Sequence, residues 1–167
     1  LLIWQLTFTE CRSTIRHMWT RWPTSILANG WVDYKPLGAP LRGTWFLPVK
    51  LPIPWHKSQH IPPPLRFTET DLIEACRYFG SQLVCVIDLT YTNYYDPAVI
   101  DEVREKFPTG LIAVHCTHGI NRTGYLICRY LIDHLDWPPE DALEEFALAR
   151  GYGIERENFL QDLRSRK

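Results

Sequence analysis

The stretch Leu111-Ile-Ala-Val-His-Cys-Thr-His-Gly-Ile-Asn-Arg-Thr-Gly124 decides how the chain is read. Its first four residues are apolar and read as a short buried strand. His115-Cys116 follows, then five residues, then Arg122, Thr123 and Gly124. Residues 125–135 read as an apolar helix. A cysteine therefore stands at the end of a strand, in a tight loop that opens directly into a helix N-terminus.

Such a loop binds anions. A helix N-terminus leaves backbone N–H groups unpaired and carries partial positive charge. Successive N–H groups ahead of it form a concave cradle for a phosphate-sized oxyanion. Gly119 and Gly124 are expected to let the backbone turn sharply and approach the ligand. Arg122 adds a planar fork that holds two oxygens at once. The same field acts on Cys116: a thiol with an ordinary pKa of ~8.5 falls to roughly 3.5–7.5 near a helix N-terminus or a cation. The thiolate is a nucleophile, and at the base of such a cradle it can attack phosphorus. Two plainer readings compete. A buried, inert structural cysteine beside an unrelated arginine leaves the glycines and the strand-loop-helix context unexplained. A metal site from His115, Cys116 and His118 has its ligands too close together, and the sequence shows no second ligand cluster.

His115-Cys116, Gly119, Arg122, Thr123 and Gly124 fall where the cysteine-dependent phosphatases, the Cys-(x)5-Arg-Ser/Thr superfamily, place them. Residues 115–133, His-Cys-Thr-His-Gly-Ile-Asn-Arg-Thr-Gly-Tyr-Leu-Ile-Cys-Arg-Tyr-Leu-Ile-Asp, resemble the RNA 5′-triphosphatase branch. That branch contains the triphosphatase domain of metazoan mRNA capping enzymes and a stand-alone, RNA-directed dual-specificity phosphatase that interacts with an RNA–ribonucleoprotein complex. Thr117-His118 and Asn121 separate it from ordinary protein phosphatases, and Cys128-Arg129-Tyr130 looks more like the stand-alone enzyme. Inositol-phosphate phosphatases of the superfamily usually carry lysine inside the loop, and this loop has none.

The resemblance implies a single α/β domain of the protein-tyrosine-phosphatase-like, dual-specificity type: a mostly parallel central sheet flanked by helices. It runs from Trp31 to about Leu163. Trp31-x-x-Tyr34, Gly38, Gly43-Thr44 and Phe46 match the branch's lead-in to its first strand, expected here over residues 45–49. The branch usually has a basic residue where this chain has Trp45. Residues 1–29 are read as a segment outside the catalytic domain, which is assigned to 30–167. Residues 51–65, with five prolines, read as loop. A helix is expected over 71–79, capped by Thr68 or Thr70, and a buried strand over 83–89. Residues 87–92, Ile-Asp-Leu-Thr-Tyr-Thr, again match the branch, but Asn93 runs straight into Tyr94-Tyr95 where an arginine is usual.

The largest departure follows. The branch has a further strand, an acid-bearing loop and a long helix before the catalytic strand. Here only a helix over 98–107 intervenes, so one strand is expected to be missing. Asp96 is the nearby candidate acid, while Asp88 is expected at the strand end. Helices over 140–150 and after residue 154 complete the chain. The resemblance implies that Arg156 reaches back to the substrate phosphates; read alone, it is a solvated arginine between two glutamates.

Bulk properties bound the rest. At 167 residues the chain is one domain able to bury a core. Its net charge of −1 excludes a global polycation, so RNA affinity has to come from a local patch. Five cysteines without paired spacings, one of them nucleophilic, suggest a reducing compartment. No apolar run reaches the ~18–20 residues of a membrane span, and a monomer is expected. The resemblance implies nuclear residence, with the cytosol as the other reducing compartment.

The expected reaction is hydrolysis of a 5′-terminal phosphoanhydride of RNA through a phosphocysteine. Cys116 is the expected nucleophile. Arg122 and the loop residues Thr117, His118, Gly119, Ile120 and Asn121 form the expected substrate cradle, and Thr123 stabilises the leaving sulfur. His115 is expected to orient the loop. No cofactor or metal is called for, because the arginine and the helix dipole supply the positive field. Expected partners are the RNA 5′-triphosphate end and ribonucleoprotein or splicing-related proteins. Two alternatives stay open: a dual-specificity protein phosphatase acting on phosphoproteins, and a catalytically dead phosphate-binding module.

Overall fold

The computed structural model describes residues 3–5, 30–90 and 97–166. In chain order these form β1 (Ile3–Gln5), a 3-10 turn (Trp31–Asp33), β2 (Phe46–Lys50), α1 (Trp55–Ser58), a second 3-10 turn (Pro63–Leu65), α2 (Glu69–Tyr78), β3 (Leu83–Asp88), α3 (Pro97–Lys106), β4 (Leu111–Cys116), α4 (Asn121–Leu135), α5 (Pro139–Arg150) and α6 (Glu157–Arg164). The sheet order is β1-β3-β4-β2. Both β2 and β3 run parallel to β4, with Lys50 opposite Cys116 and Asp88 opposite His115. β1 runs antiparallel along β3, Ile3 opposite Ile87. The chain is thus a single α/β domain with a mostly parallel sheet. Its central strand delivers Cys116 to the carboxyl end of the parallel strands, where open α/β sheets form their sites.

Strand alternation divides the core. Ile112, Val114 and Cys116 face one side with Phe46, Ile87 and the apolar stripes of α3, α4, α5 and α6. Leu111 and Ala113 face the other side with Leu47, Val49, Ile53, Phe67 and, from α2, Leu72 and Cys76. Period-2 alternation in a sheet covered on both faces makes every residue of β4 buried.

Several boundaries differ from the sequence reading. The stretch 51–65 is not all loop: α1 starts after Pro54 and the second 3-10 turn starts at Pro63. Proline is excluded from helix interiors but is pre-shaped for a first turn, where its missing N–H is no loss. β2 lies one residue later than expected. Its Pro48 is tolerated because β2 is the outer strand. Thr68 caps α2, through a reciprocal box in which Asp71 N donates to Thr68 Oγ1 (3.4 Å) and Thr68 N donates to Asp71 Oδ2 (2.7 Å). α4 begins at Asn121, so Arg122, Thr123 and Gly124 are first-turn helical residues rather than loop.

Between β3 and β4 the described residues hold one helix and no strand. β3 is nevertheless flanked on both sides, by β4 and by β1. Apart from Ile3–Gln5, the expectation for residues 1–29 lies outside the described residues, as do Asp96, Asn93 and Tyr94-Tyr95.

Candidate active site

Cys116 ends β4, and its side chain is 5% exposed in the bowl of the loop that leads into α4. Burial pushes the thiol pKa up. That effect is outweighed by the Thr123 hydroxyl and by the backbone N–H groups of Thr123, Ile120 and Gly119, so the thiol is more acidic than an ordinary cysteine. Thr123 Oγ1 is buried, has no other hydrogen-bond partner among the described residues and favours the Cys116 thiolate. The donors that stabilise a thiolate are those of a helix start, which is why the residue types needed here follow a strand end.

Gly119 has φ 71°, and a Cβ placed there would lie 2.2 Å from the Val49 carbonyl oxygen. Both the left-handed backbone and the close approach to β2 demand glycine. Gly124 has a different reason from the one expected. It lies inside α4, and a Cβ would strike Phe146 Cε1 at 2.6 Å and Ile154 Cγ1 at 2.7 Å. It admits α5 and the following loop against the catalytic helix, rather than a ligand.

His115 is fully buried, and burial lowers its pKa despite Asp88, whose Oδ1 lies 3.6 Å from His115 Nδ1. Neutral at pH 7, the imidazole lies against Asp88 at the end of β3. Asp88 Oδ1 also accepts from Thr90 N at 2.7 Å. Arg122 leans to the same side: its Nη1 donates to the carbonyls of Leu89 (2.5 Å) and Thr90 (2.7 Å).

Asn121 is engaged with residues far along the chain. Its Oδ1 accepts from Glu155 N (2.8 Å) and Arg156 N (3.0 Å), and its Nδ2 donates to Glu155 Oε2 (3.2 Å). One side chain thus pins Arg156 to the first turn of α4. The Arg156 guanidinium lies 5.6 Å from the Phe159 ring centroid and is exposed. Thr117 is half-buried and its carbonyl accepts from Leu51 N at 3.2 Å; Ile120 is buried. The expected loop residues and Arg156 are therefore brought together.

Sequence reasoning missed two buried cations on the β2 side. Arg150 is 1% exposed and donates from Nε to the Gly119 carbonyl (3.1 Å) and from Nη2 to the carbonyls of His118 (2.9 Å) and Lys35 (2.8 Å). Burial lowers its pKa to about 10, so it stays charged at neutral pH. Lys50, 2% exposed, donates to the carbonyls of Trp31 (3.1 Å) and Tyr34 (2.9 Å). Burial, with the Arg150 charge, brings it down to about 8. The one cue for Arg150 was its place four residues after Phe146, on the apolar stripe of α5.

Comparison with known proteins agrees with this geometry. The family described as dual specificity phosphatase, catalytic domain, matches residues 96–167. The chain is similar to the Bos taurus RNA/RNP complex-1-interacting phosphatase, at 37% identity over 170 residues, covering 81% of this chain and 50% of that protein. It is similar to the Caenorhabditis elegans RNA/RNP complex-1-interacting phosphatase homolog, at 34% identity, covering 86% of this chain and 77% of that one. Over 64 residues it is 55% identical to the tyrosine-protein phosphatase of Autographa californica nuclear polyhedrosis virus, 38% of each chain. The chain spans about half the length of the mammalian relatives it matches. The bovine alignment is longer than the share of this chain that it draws on, so that relative carries residues opposite a gap here. Strand, cysteine loop, first-turn arginine and relatives together make the chain a member of the dual-specificity, cysteine-dependent phosphatases, in the branch that contains the RNA/RNP complex-1-interacting phosphatases.

Proposed function

We propose that this chain hydrolyses the terminal phosphoanhydride of 5′-triphosphate- or diphosphate-ended RNA. The observation that carries the reading is the acidified Cys116 thiol facing the N–H groups of Gly119, Ile120 and Thr123. The thiolate attacks the terminal phosphorus, forming the S–P bond as the bridging P–O bond breaks. The chain-end phosphate leaves with the bond's electron pair. Arg122 turns from the Leu89 and Thr90 carbonyls to the equatorial oxygens, where charge spreads in the transition state. Water then cleaves the S–P bond, and the Thr123 hydroxyl stabilises the departing sulfur. Arg156, held at the rim by Asn121, meets the phosphates nearer the RNA.

The choice of anhydride over ester follows from the leaving group. An alkoxide or phenoxide needs a proton from a positioned acid, whereas a phosphate or diphosphate leaves without one. Among the described residues, the carboxylates at the loop, Asp88 and Glu155, face His115 and Asn121. The names of the mammalian relatives support an RNA–protein complex as the carrier of the substrate.

Phosphate release from triphosphate-ended RNA and from a phosphotyrosine peptide, with Cys116→Ser alongside, tests the reading. Release should be faster from RNA and should fall by about four orders of magnitude or more in the variant. Faster release from the peptide would favour the protein-phosphatase reading, which the viral relative's name supports. A folded wild-type protein inert on both would leave a phosphate-binding module.

A further inference from the structure

On the β2 side of the loop stands an aromatic surface for which the reaction above has no use. The His118 imidazole, itself a loop side chain, packs on Tyr34 with ring centroids 4.9 Å apart and planes at 30°. Tyr152 meets Tyr34 edge-on at 5.3 Å. All three are half-buried, with His118 Nε2 turned inward.

The two buried cations hold this surface in place. Lys50 fastens Tyr34 by its carbonyl and stands 3.5 Å from the Trp31 ring centroid. Arg150 Nη2 bridges the Lys35 and His118 carbonyls, so one nitrogen ties the residue after Tyr34 to the phosphate loop. Lys35 N donates to the Tyr152 hydroxyl at 3.2 Å and closes the cluster. Neither Lys50 nor Arg150 ion-pairs with a carboxylate among the described residues. Burying two cations on backbone carbonyls and ring faces, with no carboxylate partner, is unfavourable, and what they secure is the position of Tyr34 and Lys35 beside the loop. The Lys35 side chain is exposed.

We propose that Tyr34, His118 and Tyr152 are the subsite for the first nucleoside of a 5′-phosphorylated RNA, stacking its base, with Lys35 at the adjoining backbone phosphate. The rings are continuous with the loop that takes the terminal phosphate, because His118 belongs to both. Every base has a π-face, so the stacking is tolerant of sequence. The proposal rests on the RNA reading above.

The test compares triphosphate-ended RNA with inorganic tripolyphosphate, an anhydride without a nucleoside. Tyr34→Ala should lower the ratio of kcat/KM for RNA to that for tripolyphosphate by about tenfold, mainly through KM. Tyr34→Phe should keep the wild-type ratio. Lys35→Glu should also lower it, more at low salt than at high. If wild type cleaves RNA and none of these variants moves the ratio, the subsite is overturned while the triphosphatase reading stands. If wild type cleaves tripolyphosphate but not RNA, both are overturned. An equal loss on a phosphotyrosine peptide would give the rings to a peptide partner and overturn the nucleoside assignment. Should Tyr34→Ala fail to fold, the exposed Lys35→Glu carries the test.

Discussion

Cys116 and Cys128 belong to one strand-loop-helix unit, and both are buried in the same core. Cys128, on α4, donates its S–H to the Ala142 carbonyl at 3.4 Å, and burial pushes its pKa far up. Cys85 and Cys76 behave alike, each raised to about 12 by burial. Around Cys116 the polarity is reversed. Hydroxyl and N–H donors point at the sulfur, and the thiol becomes more acidic although it is equally hidden. Burial alone makes a cysteine inert; the orientation of the dipoles around it decides whether it is a nucleophile.

The contrast can be broken in graded ways. Arg122→Lys has the largest expected effect. It keeps the charge but loses the planar fork, so kcat/KM should fall by about a hundredfold or more. The pH profile of Cys116 alkylation should stay in place, separating the holding of phosphate from the making of the thiolate. Thr123→Ala comes next. Without the hydroxyl the folded-state pKa of Cys116 rises, so less thiolate is present at neutral pH. The midpoint of iodoacetamide inactivation and the acid limb of kcat/KM should both move to higher pH, with turnover down about tenfold. Cys128→Ala is the smallest. Mass spectrometry after brief alkylation at pH 7 should find label on Cys116 and not on Cys128. The substitution should leave turnover within about twofold while lowering stability by about 1 kcal/mol, read by denaturant melts.

The loop was legible because its information is local: a cysteine, an arginine and a glycine at fixed spacing between an apolar run and an apolar helix. The strands and helices around it were legible from period and length for the same reason. What stayed hidden depends on contacts between distant parts of the chain. Asn121 reads as a loop residue until the 155–156 backbone is seen against it. Gly124 reads as a turn residue until Phe146 and Ile154 press on it. Nothing in the sequence marks Arg150 and Lys50 as buried, since a sequence does not show which carbonyls will surround a cation. The start of α4 was placed too late because Asn121 and Thr123 are poor helix formers, and the packing of α4 against β4 and α5 overrides that preference.

Gly119 lies under the Val49 carbonyl, and the carbonyls of His118 and Gly119 are gripped by Arg150. The anion bowl is thereby welded to the core instead of hanging from it as a flap. Its backbone should keep one shape with and without phosphate. A phosphate arriving there finds its hydration shell already replaced by fixed dipoles, so affinity is not reduced by the entropy of assembling a loop.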